Sequence, residues 1–203
     1  MFNEQEKFWQ GRFGDFYTKR HSKKSEISSN IKFFKNILKD QKSINSILEL
    51  GCNIGLNLKA LNHINNKYQL TGVDINKNAI EKLRKWCVAY TYNSDIKSLK
   101  IEKKFDLVFT KGVLIHINPK DIKKIYKKLY LYSKKYILLA EYYNPTPVSL
   151  AYRGYKKKLF KRDFAGDMLN MYKDLSLVKY GFYYHKDKQA PQDDVNWFLL
   201  KKK

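Results

Sequence analysis

Apolar positions along the chain follow two alternating rhythms. Near-continuous apolar runs at 47–50 and 137–140 are short and bounded by polar residues, the pattern of strands buried on both faces. Between such runs, apolar residues recur every three or four positions. Ile122, Ile125, Tyr126 and Leu129 share one helical face, with paired lysines covering the other. The series reads strand at 46–50, helix through "GLNLKALNHIN", strand at 68–74, helix through "NKNAIEKLRKW" and strand in "CVAYTYNSD". It continues with a strand at 105–113, the Ile122 helix and a strand at 136–143. A loop over 142–162 containing Pro145 and Pro147 then leads to a helix around "FAGDMLNMY" and to two strands, "LSLVKYGFYYH" and "DVNWFLLKK".

Alternating strands and helices predict an α/β fold, a mostly parallel sheet with helices on both faces. The last two strands have no helix between them, which predicts a hairpin and one antiparallel strand at the end. Ahead of this core, "EQEKFWQGRFGDFYTKR" places Trp9, Phe13, Phe16 and Tyr17 near helical spacing, although Gly11 and Gly14 weaken it. "SSNIKFFKNILKD" reads as a second helix with cap-like Ser28, Ser29 and Asn30. The expectation is one domain over 1–203: a helical lid at 1–43 and a core at 44–203.

Composition narrows the classes. The apolar runs are far too short for a membrane span, and the polar start "MFNEQEKFWQ" does not read as a secretory signal. Cys52 and Cys87 have no metal-ligand spacing, which points away from a zinc site or disulfide scaffold and toward a reducing cytoplasm. The 41 Lys and Arg exceed the 19 Asp and Glu, for a formal charge of +22, which would attract nucleic acid or phosphorylated molecules. The lysines are scattered along amphipathic helices, however, and solvated helix faces account for them more simply than a nucleic-acid stripe.

The chemistry concentrates where the first strand ends, in "LELGCNIGLN". Ligands of a doubly wound sheet bind beyond the carboxyl ends of its strands, beside the first one. A dinucleotide fingerprint needs glycine at 51, 53 and 56; Asn53 and Leu56 break it, and no Gly-Lys-Ser/Thr cradle follows. What remains is Glu49-x-Gly51-x-x-x-Gly55, a turn suited to a nucleoside with a charged tail and no pyrophosphate. Asn53 is acceptable at its middle because Asn visits left-handed conformations readily. Asp74 ends the second strand, where a carboxylate can accept from ribose hydroxyls. Asp95 ends the third, where it can accept from an adenine amino group. Either aspartate alone reads equally well as a helix cap; together with the turn they favour an adenosyl ligand.

"ILELGCNIGLNL", "TGVDIN", "NSDI" and "FDLVFTKGVLIHI" resemble motifs I to IV of the class I S-adenosylmethionine-dependent methyltransferases. That resemblance implies a Rossmann-like, seven-stranded sheet with a reversed last strand. Over most of the chain, "FWQGRFGDFYTKR", "KGVLIHINP", "ILLAEYYNPTPV", "YRG", "LFKRDFAGDML", "YGFYYH" and "PQDDVNWFLL" are similar to the bacterial pseudaminic acid biosynthesis-associated methylases. The resemblance implies S-adenosylmethionine as cofactor, lined by Glu49, Gly51, Asn53, Gly55, Asp74, Ile75, Asp95 and Ile96. Lys111, Tyr17 and Arg20 would then approach its methionine part, an arginine fork suiting that carboxylate.

Two further sets concern the acceptor. His116 has the side chain of a general base, but a buried, hydrogen-bonded histidine is common at such a place. Asp163 is the other candidate, with a helix cap as its plainer role. The loop over 142–162 should cover the acceptor, with Tyr142, Tyr143, Asn144, Arg153 and Arg162 suited to a sugar or phosphate and the lysines of "KKKLFKR" solvated. The expected reaction is methylation of a sugar or nucleotide-linked sugar in surface-glycan biosynthesis, with an anionic small-molecule acceptor. Modification of RNA, prompted by the charge, and a non-catalytic cofactor-binding scaffold are the alternatives.

Overall fold

The computed structural model describes residues 2–20, 24–41, 43–86 and 88–203; Cys87 lies outside them. Seven strands form one sheet: β1 (Ser46–Leu50), β2 (Gln69–Asp74), β3 (Ala89–Asn93), β4 (Phe105–Lys111), β5 (Ser133–Glu141), β8 (Leu175–Tyr183) and β9 (Val195–Lys202). Their order is β3-β2-β1-β4-β5-β9-β8. The first five are parallel, and β9 runs antiparallel to both β5 and β8. The reversed strand expected from the sequence is therefore inserted inside the sheet, leaving β8 as the edge. A hairpin allows this: β9 doubles back from β8 and its all-apolar Leu199 and Leu200 take the better-buried place.

All five residues of β1 are buried, as a central strand covered on both faces requires. On one face pack α3 (Lys24–Leu38), α4 (Leu56–Ile64) and α5 (Lys77–Arg84), through Phe33, Phe34, Leu58, Leu61, Ile80 and Leu83. On the other pack α6 (Ile122–Tyr132) and α7 (Phe164–Met171), through Ile122, Ile125, Leu129, Phe164 and Met168. Lys123, Lys124 and Lys127 of α6 are exposed, as a solvated helix face demands.

Four expectations change. The strand read over 105–113 stops at Lys111, because Gly112 takes a φ of 67°. The N-terminal stretch is two helices, α1 (Glu4–Gln10) and α2 (Arg12–Arg20), broken at the extended backbone of Gly11. The loop over 142–162 contains a hairpin, β6 (Val148–Tyr152) and β7 (Tyr155–Lys161), turning on Arg153 and Gly154 with φ of 49° and 85°. Three consecutive lysines, Lys156 to Lys158, hid β7 from a hydrophobic reading. Lys158 is not solvated: its side chain is buried and its ammonium pairs with Glu4 of α1.

That ion pair is one of several ties holding α1 over the strand ends. Lys97 bridges Glu6 at 2.8 Å and Asp121 at 3.1 Å; the Asn3 amide donates to Asp121 at 2.8 Å, and Asn118 donates to Gln5 at 2.9 Å. Gly14 lets α2 cross α1 closely, since a Cβ there would lie 1.8 Å from the Trp9 carbonyl oxygen. Gly14→Ala should therefore cost about 1–3 kcal/mol by overpacking a backbone that cannot yield. Hydrogen exchange is expected to accelerate in α1 and α2 but not in β1 or β4; equal protection in the variant would show that the crossing adapts.

Candidate active site

The turn after β1 is sewn to the end of β2. The amides of Gly51 and Cys52 donate to the Val73 carbonyl at 2.8 and 2.9 Å, and the Asn53 amide donates to Asp74 Oδ2 at 2.7 Å. This path needs left-handed backbone at Gly51, Asn53 and Gly55, with φ of 81°, 48° and 76°. At Gly51 there is also no room for a side chain, because a Cβ would approach Val113 Cγ2 to 2.5 Å. Glycine here brings the turn against the segment after β4.

Between these two segments lies a cavity over the carboxyl ends of β1 to β4, closed from above by α1 and α2. Glu49, Gly51, Asn53, Asp74, Ile75, Asp95, Ile96 and Lys111 line it from the core. Trp9, Tyr17 and Thr18 line it from α1 and α2, and Glu26 and Asn30 from α3. Eight cofactor candidates named from the sequence thus meet here, joined by Tyr17 from outside the core. Gly55 stands just behind the lining as the N-cap of α4, where a Cβ would strike Leu83 at 2.2 Å. Arg20 is on the exposed side of α2, its guanidinium 5.7 Å from the Phe13 ring and 5.9 Å from the Tyr17 ring.

The chemistry of the lining is unbalanced in one way. Glu49 Oε2, Asn53 Oδ1 and Asn57 Oδ1 are buried acceptors without a donor, although the Asn57 amide donates to Glu49 Oε1 at 2.6 Å. Burial pushes the Glu49 carboxyl up to about 8, only partly offset by Asn57 and by Lys111. Lys111 is a half-buried cation facing the same space, with the Phe33 ring 5.6 Å from its Nζ. Burial lowers its pKa, and Glu49 opposes that fall. Orphan acceptors beside an ammonium suit a zwitterion: its ammonium would meet Glu49 and the asparagines, its carboxylate Lys111. The methionine tail of S-adenosylmethionine is such a group, so these residues fit it.

The two strand-end aspartates hold local turns and also line the cavity. Asp74 accepts from the Asn53 amide and, through Oδ1, from the Asn76 amide at 2.8 Å, yet it lines the cavity. Burial raises its pKa despite those donors. Asp95 caps the following turn by accepting from the Ser98 amide at 2.9 Å and from the Ser98 hydroxyl, and it too lines the cavity.

The acceptor candidates divide. Tyr142 and Tyr152 lie close enough to Tyr17 to add to the burial that raises its phenol pKa. Arg153 stacks on Tyr152 with its guanidinium 5.6 Å from the ring. Tyr143 faces Phe198 at 6.0 Å, and the Asn144 amide donates to the Thr146 carbonyl at 2.6 Å. Arg162 is held by Asp167 at 2.6 Å, in a second groove lined by Lys120, Lys123 and Tyr126. Asp163 caps α7 by accepting from the Gly166 amide at 2.7 Å. His116 does line the cavity. Sequence reasoning overlooked Trp9, Glu26, Asn30 and Asn57. Asn57 carried a signal, lying eight residues after Glu49 on the first turn of α4; the others reach the site only through tertiary packing.

Residues 47–135 match the family described as methyltransferase domain. Among curated proteins, none matches the sequence. Solved structures are similar in fold at low identity. The magnesium protoporphyrin IX methyltransferase of Synechocystis PCC 6803, with bound S-adenosylmethionine, is 11% identical, covers 100% of this chain and 99% of its own, and has a TM-score of 0.73. The PH0226 protein of Pyrococcus horikoshii OT3 is 15% identical with full coverage of both chains and a TM-score of 0.69. The plantazolicin methyltransferase BpumL, in complex with S-adenosylhomocysteine, is 15% identical over 98% of this chain and 93% of its own, with a TM-score of 0.68. Residues 47–135 match a methyltransferase domain, and the chain as a whole has the fold of solved methyltransferases bound to S-adenosylmethionine or S-adenosylhomocysteine.

Proposed function

We propose that the protein methylates a small acceptor, a sugar or nucleotide-linked sugar, that reaches the strand ends beneath the β6–β7 hairpin. The observation that carries the cofactor half is the set of orphan acceptors on the glycine turn facing Lys111. The acceptor half rests on the similarity of "AEYYNPTPV" and "LFKRDFAGDM" to the pseudaminic acid-associated methylases and on the aromatic walls formed by Trp9, Tyr17 and Tyr152. Solved proteins of this fold include a magnesium protoporphyrin IX methyltransferase and a plantazolicin methyltransferase, so the fold itself does not choose the acceptor. No helix among the described residues is long and apolar enough to cross a membrane. Placement in the cytoplasm belongs to the same proposal and rests on the sequence, whose two cysteines have no scaffold or metal-ligand spacing.

When bound, S-adenosylmethionine supplies a methyl group already activated on a sulfonium. In this reading Glu49, Asn53 and Asn57 hold the amino acid ammonium, Lys111 its carboxylate, and Asp74 the ribose. The lid formed by α1 and α2 excludes water and presents Trp9 and Tyr17 to the reacting centre. Mass spectrometry of sugar-nucleotide pools with and without the gene tests the acceptor: a species heavier by one methylene is expected only when the gene is present. Unchanged pools remove the sugar. Asp74→Ala should weaken S-adenosylhomocysteine binding by about 1–3 kcal/mol, since ribose hydroxyls lose a charged acceptor and the Asn53 amide its anchor. An unchanged calorimetric affinity would exclude Asp74 from the pocket.

A further inference from the structure

His116 sits where three elements meet. It ends the 3-10 turn Leu114–His116 that follows β4, and its ring packs against both Trp9 of α1 and Tyr152 of β6, at 4.6 and 4.7 Å between centroids. Its Nδ1 is 2.7 Å from the carbonyl oxygen of Lys158 in β7. A carbonyl can only accept, so Nδ1 carries the proton and the neutral ring keeps its lone pair on Nε2. The carbonyl cannot drift away: the Lys158 side chain pairs with Glu4, and the Gln5 amide donates to the neighbouring Lys157 carbonyl at 3.2 Å. Glu141 fixes the turn from below, accepting from the Val113 amide at 3.0 Å. His116 lines the cofactor cavity, and with Nδ1 committed, Nε2 is the ring atom left to serve it.

We propose that His116 Nε2 is the proton acceptor of the reaction and that the acceptor is a neutral hydroxyl, so that the protein is an O-methyltransferase. The inference rests on the methyl-transfer reading above and names the acceptor atom within it. The acceptor oxygen forms a bond to the methyl carbon, the carbon–sulfur bond breaks with its electron pair left on sulfur, and the hydroxyl proton passes to Nε2. The imidazole becomes imidazolium as the sulfonium charge disappears, so the net charge of the enclosed site does not change. Burial drives the His116 pKa down to about 4, which keeps the lone pair available at neutral pH. A carboxylate acceptor has no proton to give up, and an ammonium acceptor would have to share the cavity with Lys111 and the sulfonium. A hydroxyl is the class that uses a neutral base here.

Three measurements test this. In the free protein, ¹⁵N NMR of the imidazole at neutral pH should show the Nδ1-protonated tautomer at His116; an Nε2-protonated ring overturns the proposal. With S-adenosylmethionine labelled in its ¹³C methyl and a small-molecule extract of the cells that make the protein, the labelled product should be a methyl ether. An N-methyl or methyl ester product overturns the proposal and leaves methyl transfer standing; no labelled product overturns both. His116→Gln preserves a donor to Lys158 and should lose at least about a hundredfold in turnover with S-adenosylhomocysteine affinity unchanged. His116→Ala should regain part of its activity on addition of imidazole. Turnover within about threefold of wild type in the glutamine variant makes the histidine structural.

Discussion

Glu49→Gln should weaken S-adenosylhomocysteine binding by about 2–3 kcal/mol, at least roughly thirtyfold, while making the empty protein more stable above neutral pH. The two effects share one cause. Glu49 is fully enclosed, one oxygen held by Asn57 and the other orphaned, and burial pushes its pKa up to about 8. The unfolded carboxyl titrates near the ordinary 4.5. Between these values the folded protein keeps a proton that the unfolded chain has released. Stability therefore falls as pH rises through this window and levels off above about 8. Glutamine removes that dependence, so the melting temperature of the variant should draw ahead of wild type from pH 5 to pH 8. Binding reverses the balance, because a ligand ammonium favours the carboxylate. Wild-type binding near pH 7 should release a proton, visible as a dependence of calorimetric heat on the buffer, and the variant should not. Equal affinity in the two proteins would place the amino acid tail elsewhere.

Asp106→Ala should destabilise the fold by about 3 kcal/mol without touching the cofactor site. Asp106, in β4, accepts from the Asn45 amide at 3.0 Å and from the Ser46 amide and hydroxyl, both at 2.9 Å. It thereby joins the starts of β1 and β4 at the end of the sheet opposite the cavity. Burial works against its charge, but the Ser46 and Asn45 donors outweigh it and hold the pKa below the usual carboxylate range. Its contribution is present above the unfolded value of about 3.9 and is lost as pH falls through the depressed folded one. Urea unfolding at pH 7 reads the loss, and the gap between variant and wild type should narrow below pH 4. A midpoint shift worth less than about 1 kcal/mol would mean that water replaces the carboxylate at both amides.

The parallel core and its ligand end were legible because both depend on local pattern. Ile47, Leu48 and Leu50 can only be a central strand, and the left-handed backbone that Gly51, Asn53 and Gly55 permit is written in those residue types. Asp74 and Asp95 follow from strand length alone, since a strand end in such a sheet is where a ligand lies. The β6–β7 hairpin was not legible. The run Lys156–Lys158 breaks any apolar alternation in β7, and the buried Lys158 ammonium finds its partner in Glu4, 154 positions away.

The sequence alone therefore determined the order of the core strands and helices and the glycine turn after β1. Tertiary structure decided where β9 is inserted, that α1 and α2 close the cavity, and that Asp163 and Arg162 serve α7 and Asp167. It also decided that His116 Nδ1 meets the Lys158 carbonyl. The division has a physical origin. Backbone conformation and hydrophobic period are set by neighbours in sequence, whereas the protonation and orientation of a buried polar group are set by whichever donors and acceptors the fold brings against it.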